Sequence, residues 1–146
     1  MPSASGALAR LYQPRIREHA ARVRGDKRLE RPDVTVTCRS PVCGSAITLD
    51  LLIHDGALTA IGWKGRACTL GMASLGIVVR SASGQTKCQI AEVGRRLSGL
   101  LRGEETEFPE AWAELSIFCA AREYPTRFGS IVLPFDAIAE GFAKAR

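Results

Sequence analysis

The chain has 146 residues, of which 46% are hydrophobic, and it carries a formal net charge of +5 and five cysteines. This length fits one domain over residues 1–146, which can bury a core without disulfide staples. Since no apolar run approaches the roughly 20 residues of a membrane span and no signal-peptide pattern is present, we expect a protein of the bacterial cytoplasm with free thiols and no membrane contact.

The excess of positive charge is concentrated in the first 31 residues, whereas basic and acidic residues balance over the remainder. A basic arm can bind nucleic acid or an acidic protein. This one contains a single aromatic residue, Tyr12, and no recognised nucleic-acid motif. We therefore expect a solvated helix face and no nucleic-acid partner. The Arg-rich start also has the composition of a transit peptide, but apolar helical spacing already begins at Leu8, which leaves little room for a removable leader.

An amphipathic helix is predicted near the N-terminus, because suitable side chains recur at intervals of three and four residues: Leu8, Leu11, Tyr12, Ile16, His19 and Val23. Pro14 is compatible only with a first turn, so the ordered helix either begins near Gln13 or is kinked there. A lone histidine on an apolar stripe is more often a packed or capped core residue than a ligand. His19 is therefore assigned no chemical role.

Three β-branched or apolar runs follow a charged loop, at residues 34–38, 46–54 and 57–64. The sequence His54-Asp55-Gly56 between the last two is typical of a two-residue hairpin turn. Alternation in the second run places four apolar side chains on one face: Ile47, Leu49, Leu51 and Ile53. Because no other segment has this period, the sequence predicts an α+β fold with a three-stranded antiparallel sheet covered by helices.

Residues 68–80 are apolar nearly all round and rich in small residues, which predicts a buried helix on the sheet. Its two glycines, Gly71 and Gly76, are interpreted as close-packing positions, since the phosphate-loop motif is incomplete. Residues 90–101 form an amphipathic pattern that ends at Gly103.

The last part of the chain predicts two more helices. Apolar side chains from Phe108 to Cys119 recur at helical spacing and indicate a short third helix after the sheet. Pro134, placed in a first turn, is predicted to open the C-terminal helix, whose apolar positions are Phe135, Ile138 and Phe142.

Two cysteines occupy positions that lower a thiol pKa. Cys43 lies in a tight Pro-x-Cys-Gly turn, and Cys68 stands at or just before a helix N-terminus. The turn that contains Cys43 precedes the second strand, and Cys68 follows the third. Because these two strands form an antiparallel hairpin, both thiols are expected at the same end of the sheet. Thiolates in such places act as metal ligands, persulfide carriers or nucleophiles, although two free structural cysteines are an equal alternative.

Four segments, in order, resemble motifs of the iron–sulfur cluster assembly scaffolds of the IscU, SufU and NifU N-terminal type. They are Leu11-Tyr12 with Ile16 and His19, the turn Ser40-Pro41-Val42-Cys43-Gly44-Ser45, the segment from Gly65 to Ser74, and the segment from Pro125 to Phe135. The resemblance covers nearly the whole chain. The insert at about residues 103–122 makes the SufU branch the most similar.

The resemblance implies a site for zinc, iron or a nascent cluster built from Cys43, Ser45, Cys68 and Ser130. In the family, an Asp stands at the position of Ser45 and a Cys at that of Ser130. A neutral hydroxyl is a poor ligand beside a thiolate or carboxylate, so we expect weak metal binding or none. The resemblance also implies that Cys43 accepts persulfide sulfur and that Arg127 supports the thiolates, with a surface salt bridge as the alternative for Arg127.

The remaining cysteines leave an alternative open. Cys38, at the end of the first strand, or Cys119, near the end of the inserted helix, could move in to complete the site. Cys88 opens a helix elsewhere. For all three, a small buried or incidental thiol is the favoured interpretation.

The resemblance implies a cysteine desulfurase of the SufS or IscS type as partner. The chaperone-recognition segment of IscU proteins is absent, because residues 123–127 read EYPTR, so we expect no dedicated chaperone. The first functional hypothesis is a non-enzymatic scaffold or sulfur carrier in iron–sulfur cluster biogenesis. The alternative is a degenerate, metal-free family member that binds or regulates the desulfurase.

Overall fold

The computed structural model describes residues 13–41 and 44–145. Its centre is a three-stranded antiparallel sheet in the order β1-β2-β3, with β1 at Val34–Arg39, β2 at Ala46–His54 and β3 at Ala57–Arg66. The β2–β3 turn has positive φ at both Asp55 (51°) and Gly56 (78°), which is the twist that a two-residue hairpin requires. The predicted α+β fold is therefore confirmed.

Four α-helices accompany the sheet in the described chain: α1 at Pro14–Ala21, α2 at Thr69–Ser81, α3 at Lys87–Leu101 and α4 at Phe128–Lys144. Helix α1 begins after an extended Gln13, with Pro14 in its first turn, which is the first of the two predicted alternatives. Leu8, Leu11 and Tyr12 of the predicted helix lie outside the described residues. Helix α3 begins at a capping box in which Thr86 and Gln89 exchange hydrogen bonds.

The helix-facing side of the sheet carries the core. Ile47, Leu49 and Leu51 of β2 are completely buried, together with apolar side chains of α2, α3 and α4. Gly76 lets α1 lie against α2, since a Cβ there would stand 2.0 Å from the His19 carbonyl oxygen. The close-packing interpretation of this glycine is the one that the geometry supports.

The C-terminal part of the chain differs from prediction in two respects. The inserted helix, Glu110–Ala121, is a 3-10 helix, although its Trp112, Leu115 and Phe118 are buried at the predicted apolar positions. The prediction that Pro134 opens the last helix is wrong, because α4 begins six residues earlier, at Phe128. Packing against α2 stabilises the helical residues before Pro134, because Ser74 Oγ of α2 donates a hydrogen bond to Ile131 O at 2.5 Å.

The loop between α1 and β1 passes over the other side of the sheet, which we call the outer face. Lys27 pairs with Trp63 as an antiparallel bridge at the free edge of β3. A Cβ on Gly62 would stand 2.7 Å from Leu29 N, so the loop backbone lies directly on the strand. Within the described residues, no helix has the length and apolarity needed to cross a membrane.

Candidate functional site

The site is built at the end of the sheet where β1 passes into β2. Ser40 N donates to Ser45 O at 2.8 Å, and Gly44 N donates to Ser40 O at 3.1 Å. Gly44 has a φ of 70°, which a residue without a Cβ adopts at little cost. These bonds close a tight turn and hold Ser45 at the start of β2. Val42 and Cys43, which come between Pro41 and Gly44 in the sequence, are outside the described residues.

Cys68 lies where β3 passes into α2. It is the N-cap residue of α2 with an extended backbone (φ −63°, ψ 165°), and its half-buried side chain does not cap the helix. Together with Gly44, Ser45, Arg66 and Ala67, it lines a shallow, open depression. The structure thus brings Cys68 to the same surface as Ser45 and as the residue that follows Cys43.

Ser130 reaches the same end of the sheet from α4. Its Oγ lies 3.2 Å from Ser45 Oγ, and both side chains are buried. Gly71 permits this approach, because a Cβ there would stand 3.2 Å from Ser130 Cβ and 3.0 Å from Ala67 Cβ. The small residues that sequence reasoning assigned to close packing therefore place α4 beside the turn.

Ser40 is a further residue of this region that sequence reasoning did not single out. Its hydroxyl is buried and has no hydrogen-bond partner among the described residues, and it faces the first turn of α4, 3.1 Å from the position of a Cβ on Gly129. The available signal was its place at the first position of the cysteine turn. We refer to Ser40, Ser45 and Ser130 as the serine cluster.

Arg127 is half-buried at the end of a short 3-10 helix, Pro125–Arg127, and is the N-cap residue of α4. It therefore precedes Ser130 by about one helical turn. Neither α2 nor α4 has an acidic residue in its first turn. Both helix N-termini thus present partial positive charge to the site, which favours a nearby anion or thiolate.

The donor set of the described residues does not fit a tightly bound zinc ion. Of the four implied ligand positions, Ser45 and Ser130 supply neutral hydroxyls and Cys68 supplies one thiol, with Cys43 outside the described part of the chain. Among residues 13–41 and 44–145, no group of three His, Cys, Asp or Glu side chains could hold a metal. Tight structural zinc sites use four anionic or imidazole ligands, so these residues favour weak binding.

The other cysteines of the described residues have surroundings of their own. Cys38 Sγ donates to Glu140 Oε2 at 3.1 Å, and burial, with this hydrogen bond and the Glu140 charge, raises the pKa of Cys38 to about 12. Glu140 is ten residues beyond Ser130 on α4, which corresponds to about 15 Å of helix. Cys88 and Cys119 are exposed on α3 and on the Glu110–Ala121 helix. Among the described residues, none of these three thiols forms a hydrogen bond with Ser45 or Ser130.

The NifU-like N terminal domain family model matches residues 11–130. The chain is 21% identical over 138 residues to the iron–sulfur cluster assembly scaffold protein IscU of Streptococcus pyogenes serotype M1, covering 94% of this chain and 86% of that protein. It is 22% identical over 135 residues to the protein of the same description from Thermotoga maritima, covering 92% and 94%.

Two solved structures have the same fold. A nitrogen-fixing NifU-like protein (N-terminal) from Brucella abortus superposes with a TM-score of 0.87 at 29% identity, covering 95% of this chain and 96% of the other. A putative iron–sulfur cluster assembly scaffold protein for the SUF system from Fervidobacterium islandicum AW-1 superposes with a TM-score of 0.81 at 19% identity, covering 92% and 98%.

Proposed function

The chain belongs to the family of NifU-like N-terminal domains, and from that premise we propose that it is a scaffold or sulfur carrier in iron–sulfur cluster assembly that works in the bacterial cytoplasm. Its relatives from Streptococcus pyogenes and Thermotoga maritima are described as iron–sulfur cluster assembly scaffolds. The proposed role is that of a non-enzymatic carrier, in which iron, sulfur or a cluster is cargo.

The observation that carries this proposal is the juxtaposition at one end of the sheet. Ser45 and Ser130 are separated by 85 positions in the chain, and their Oγ atoms are 3.2 Å apart. Ser45 also lines one depression with Cys68. These are three of the positions at which the family resemblance implies ligands. Their convergence supports the proposal that the chain keeps the shape of the scaffold site with a weakened donor set.

We propose Cys43 as the sulfur acceptor and a cysteine desulfurase as the donor. In this step the Cys43 thiolate attacks the terminal sulfur of a persulfide on the donor cysteine. The donor sulfur–sulfur bond breaks as the new one forms, and the donor cysteine leaves as a thiolate. The reaction needs no external oxidant, because the sulfane sulfur is passed on at its existing oxidation level. The positive ends of α2 and α4 would favour the attacking thiolate.

Cys68 and Arg127 are assigned supporting roles in this proposal. Cys68, at the N-cap of α2, would share weakly bound iron or a nascent cluster with Cys43. Arg127, one helical turn before Ser130, would add positive charge near the thiolates. Because two neutral hydroxyls stand at the other ligand positions, we expect metal to be bound weakly or not at all.

Sulfur labelling tests the proposal. The chain is incubated with the cysteine desulfurase of the same organism and radiolabelled cysteine, then analysed without reductant for bound label and for the mass of one added sulfur atom. We expect labelling of the wild type and of Cys88→Ser, and no labelling of Cys43→Ser. Equal labelling of Cys43→Ser, or no labelling of the wild type, would contradict the carrier role.

The second candidate is a metal-free module that binds or regulates the desulfurase without accepting sulfur. The neutral donor set favours this candidate, because serines stand at positions 45 and 130, where the family resemblance implies an Asp and a Cys as metal ligands. A wild-type chain that binds the desulfurase and changes its turnover of cysteine, but takes up no label, would establish this alternative.

A further inference from the structure

The outer face of the sheet carries basic side chains at the end nearest the site. The strand register places Arg39 of β1, Ala46 of β2 and Arg66 of β3 in one row across the sheet. The next row contains Thr37, Thr48 and Lys64. Since side chains two residues apart share a face, these two rows form one surface. We call it the basic sheet patch.

The loop between α1 and β1, which lies on another part of the outer face, does not cover this patch. It lies over the following row, where Arg28 and Leu29 bond to Asp50 and the Leu29 backbone approaches Gly62. Arg39, Lys64 and Arg66 are exposed. The two threonines pair with each other through their hydroxyls at 2.7 Å.

The three cations of the patch have no acidic partner among residues 13–41 and 44–145. Asp50, in the neighbouring row, is already bonded to Arg28, and no ion pair in the described part of the chain involves Arg39, Lys64 or Arg66. Elsewhere, Arg95, Arg96, Arg102 and Lys144 each pair with a glutamate. Like charges gathered on one sheet face repel and lower folding stability. An acidic partner surface would offset that cost.

The size and composition of the patch indicate what kind of partner it fits. Arg39 and Arg66 are two strand spacings apart, about 10 Å, and Lys64 and Arg66 are about 7 Å apart along β3. This area matches two or three carboxylates on a folded protein. A single-stranded nucleic acid would need a longer basic groove with aromatic side chains for stacking, and the patch contains none.

We propose that the basic sheet patch is the docking surface for an acidic face of the protein that delivers sulfur to the site. Arg66 belongs both to the patch and to the wall of the depression that contains Ser45 and Cys68. A partner seated on the patch therefore reaches the edge of that depression. This inference rests on the proposed function, since it names the surface through which the donor engages the carrier.

The test is a binding titration of the full-length chain with the cysteine desulfurase of the same organism, at about 50 and about 300 mM salt. The patch variant Arg39→Glu/Arg66→Glu is compared with Arg17→Glu/Lys87→Glu, which changes the net charge equally at exposed positions outside the patch. We expect the patch variant to bind at least ~10-fold more weakly at low salt, with a smaller difference at high salt, because screening weakens the lost attraction. The control should bind as the wild type does, and Arg39→Lys/Arg66→Lys should retain most of the affinity.

The labelling assay separates this inference from the proposed function. Near-saturating desulfurase should still label Cys43 of the patch variant fully, with only the half-saturating concentration raised. Absence of label from the wild type would defeat the carrier role alone, because docking is read from the titration. A patch variant that binds the desulfurase as the wild type does, including no binding by either, would overturn the docking inference. So would displacement of the desulfurase by an equimolar single-stranded oligonucleotide.

Discussion

Two buried polar clusters in this molecule are built on opposite plans. On the outer face, Asp50 is completely buried and its carboxylate accepts four hydrogen bonds, from Arg28 Nε and Nη2, Leu29 N and Thr35 Oγ1. We call these residues the Asp50 cluster. At the site, the serine cluster contains only neutral hydroxyls, and one of them, Ser40 Oγ, has no hydrogen-bond partner in the part of the chain that the structure describes. Asp50 and the three serines are buried, whereas Arg28 of the Asp50 cluster is half exposed.

The two clusters differ in what they contribute. The Asp50 cluster stabilises the fold, whereas the serine cluster lies at the candidate site. A buried carboxylate is tolerated only where donors and a counter-charge meet it, and Arg28 accordingly holds the pKa of Asp50 below its usual range. The serine cluster requires no counter-charge, because a hydroxyl can be buried at modest cost. We therefore expect a site with these neutral residues at two ligand positions to fold without metal and to bind metal weakly.

The largest effect is expected when charge is introduced into the serine cluster. Ser45→Asp with Ser130→Cys should raise zinc affinity by orders of magnitude, and either change alone should raise it less, because each restored ligand adds a bond to the ion. The gain should grow with pH through the thiol range, since thiol ligands must lose a proton to bind. Calorimetric titration with zinc measures both effects.

The double variant also makes a prediction about stability. Without zinc, a carboxylate and a thiol buried beside each other should lower the free energy of unfolding, and zinc should restore it. If the wild type binds zinc as tightly as the double variant, Ser45 and Ser130 are not the missing ligands. In that case Cys38 or Cys119 would have to complete the site by leaving the positions described above.

Removing the counter-charge of the Asp50 cluster should give the next largest effect. Arg28→Met leaves a buried carboxylate with two remaining donors, and we expect the free energy of unfolding to fall by about 2–3 kcal/mol, less than for a fully buried pair because Arg28 is half exposed. Urea unfolding at pH 7 measures this loss. Arg31→Met, an exposed arginine of the same loop, is the matched control. Equal stability of the two variants would contradict the role given to Arg28.

His19 provides an intermediate case, a buried group that the fold keeps neutral. It contacts Glu114 Oε1 through Nε2 at 3.0 Å. Burial, and then the charges of Arg15, Arg22 and Arg80, lower its pKa to about 4. Because the folded pKa lies below the unfolded value of about 6.5, its contribution is complete above pH 6.5 and is lost as the pH falls toward 4.

Because of the lowered His19 pKa, the free energy of unfolding of the wild type should fall by about 2 kcal/mol as the pH is lowered from 7 to 5. The lowered pKa of Asp50 adds little in this window, since its contribution is lost only at lower pH, below its unfolded value. His19→Gln should flatten the pH dependence, whereas His54→Gln, at an exposed position, should not. Denaturant unfolding at several pH values measures the slopes, and identical slopes for the wild type and His19→Gln would show that His19 does not titrate as described.

The smallest effect is expected within the serine cluster itself. Ser40→Ala removes a hydroxyl that bonds to no other described residue, so the free energy of unfolding should change by less than about 0.5 kcal/mol. Ser74→Ala is the matched buried control, because its hydroxyl donates to Ile131 O, and it should cost about 1–2 kcal/mol. Thermal or urea unfolding should therefore show Ser74→Ala to be less stable than Ser40→Ala. A larger loss for Ser40→Ala would mean that its hydroxyl is engaged.

The comparison also explains how far the sequence could be interpreted. Alternation in β2, with Ile47 and Leu49 on the core face, implies that Asp50 lies on the opposite face, which is correct. Alternation could not show that the loop before β1 folds back over that face and buries the carboxylate. Contacts of that kind depend on backbone paths that local patterns do not encode. Likewise, Pro134 was a reasonable helix start, yet packing of α2 on α4 sets the true beginning at Phe128.

The positions of the site residues could be predicted from the sequence more fully than those of the residues around the site. A hairpin brings its two ends together, so Ser45 and Cys68 had to be close once the strands were recognised. Ser130 could be added only through the family resemblance, because its place depends on how α4 packs on Gly71. The basic sheet patch was not anticipated, since it depends on the register that aligns Arg39 with Arg66 across Ala46.

The central claim, a scaffold site with a weakened donor set, is tested most directly by the metal and acid-labile sulfide content of the anaerobically purified wild type. Content is measured before and after exposure to a chelator of micromolar affinity, beside Ser45→Asp/Ser130→Cys. We predict that the wild type loses nearly all zinc, iron and sulfide to the chelator, whereas the double variant keeps about one zinc ion per chain. A wild type that still holds about one metal ion or cluster per chain after this treatment would contradict the claim.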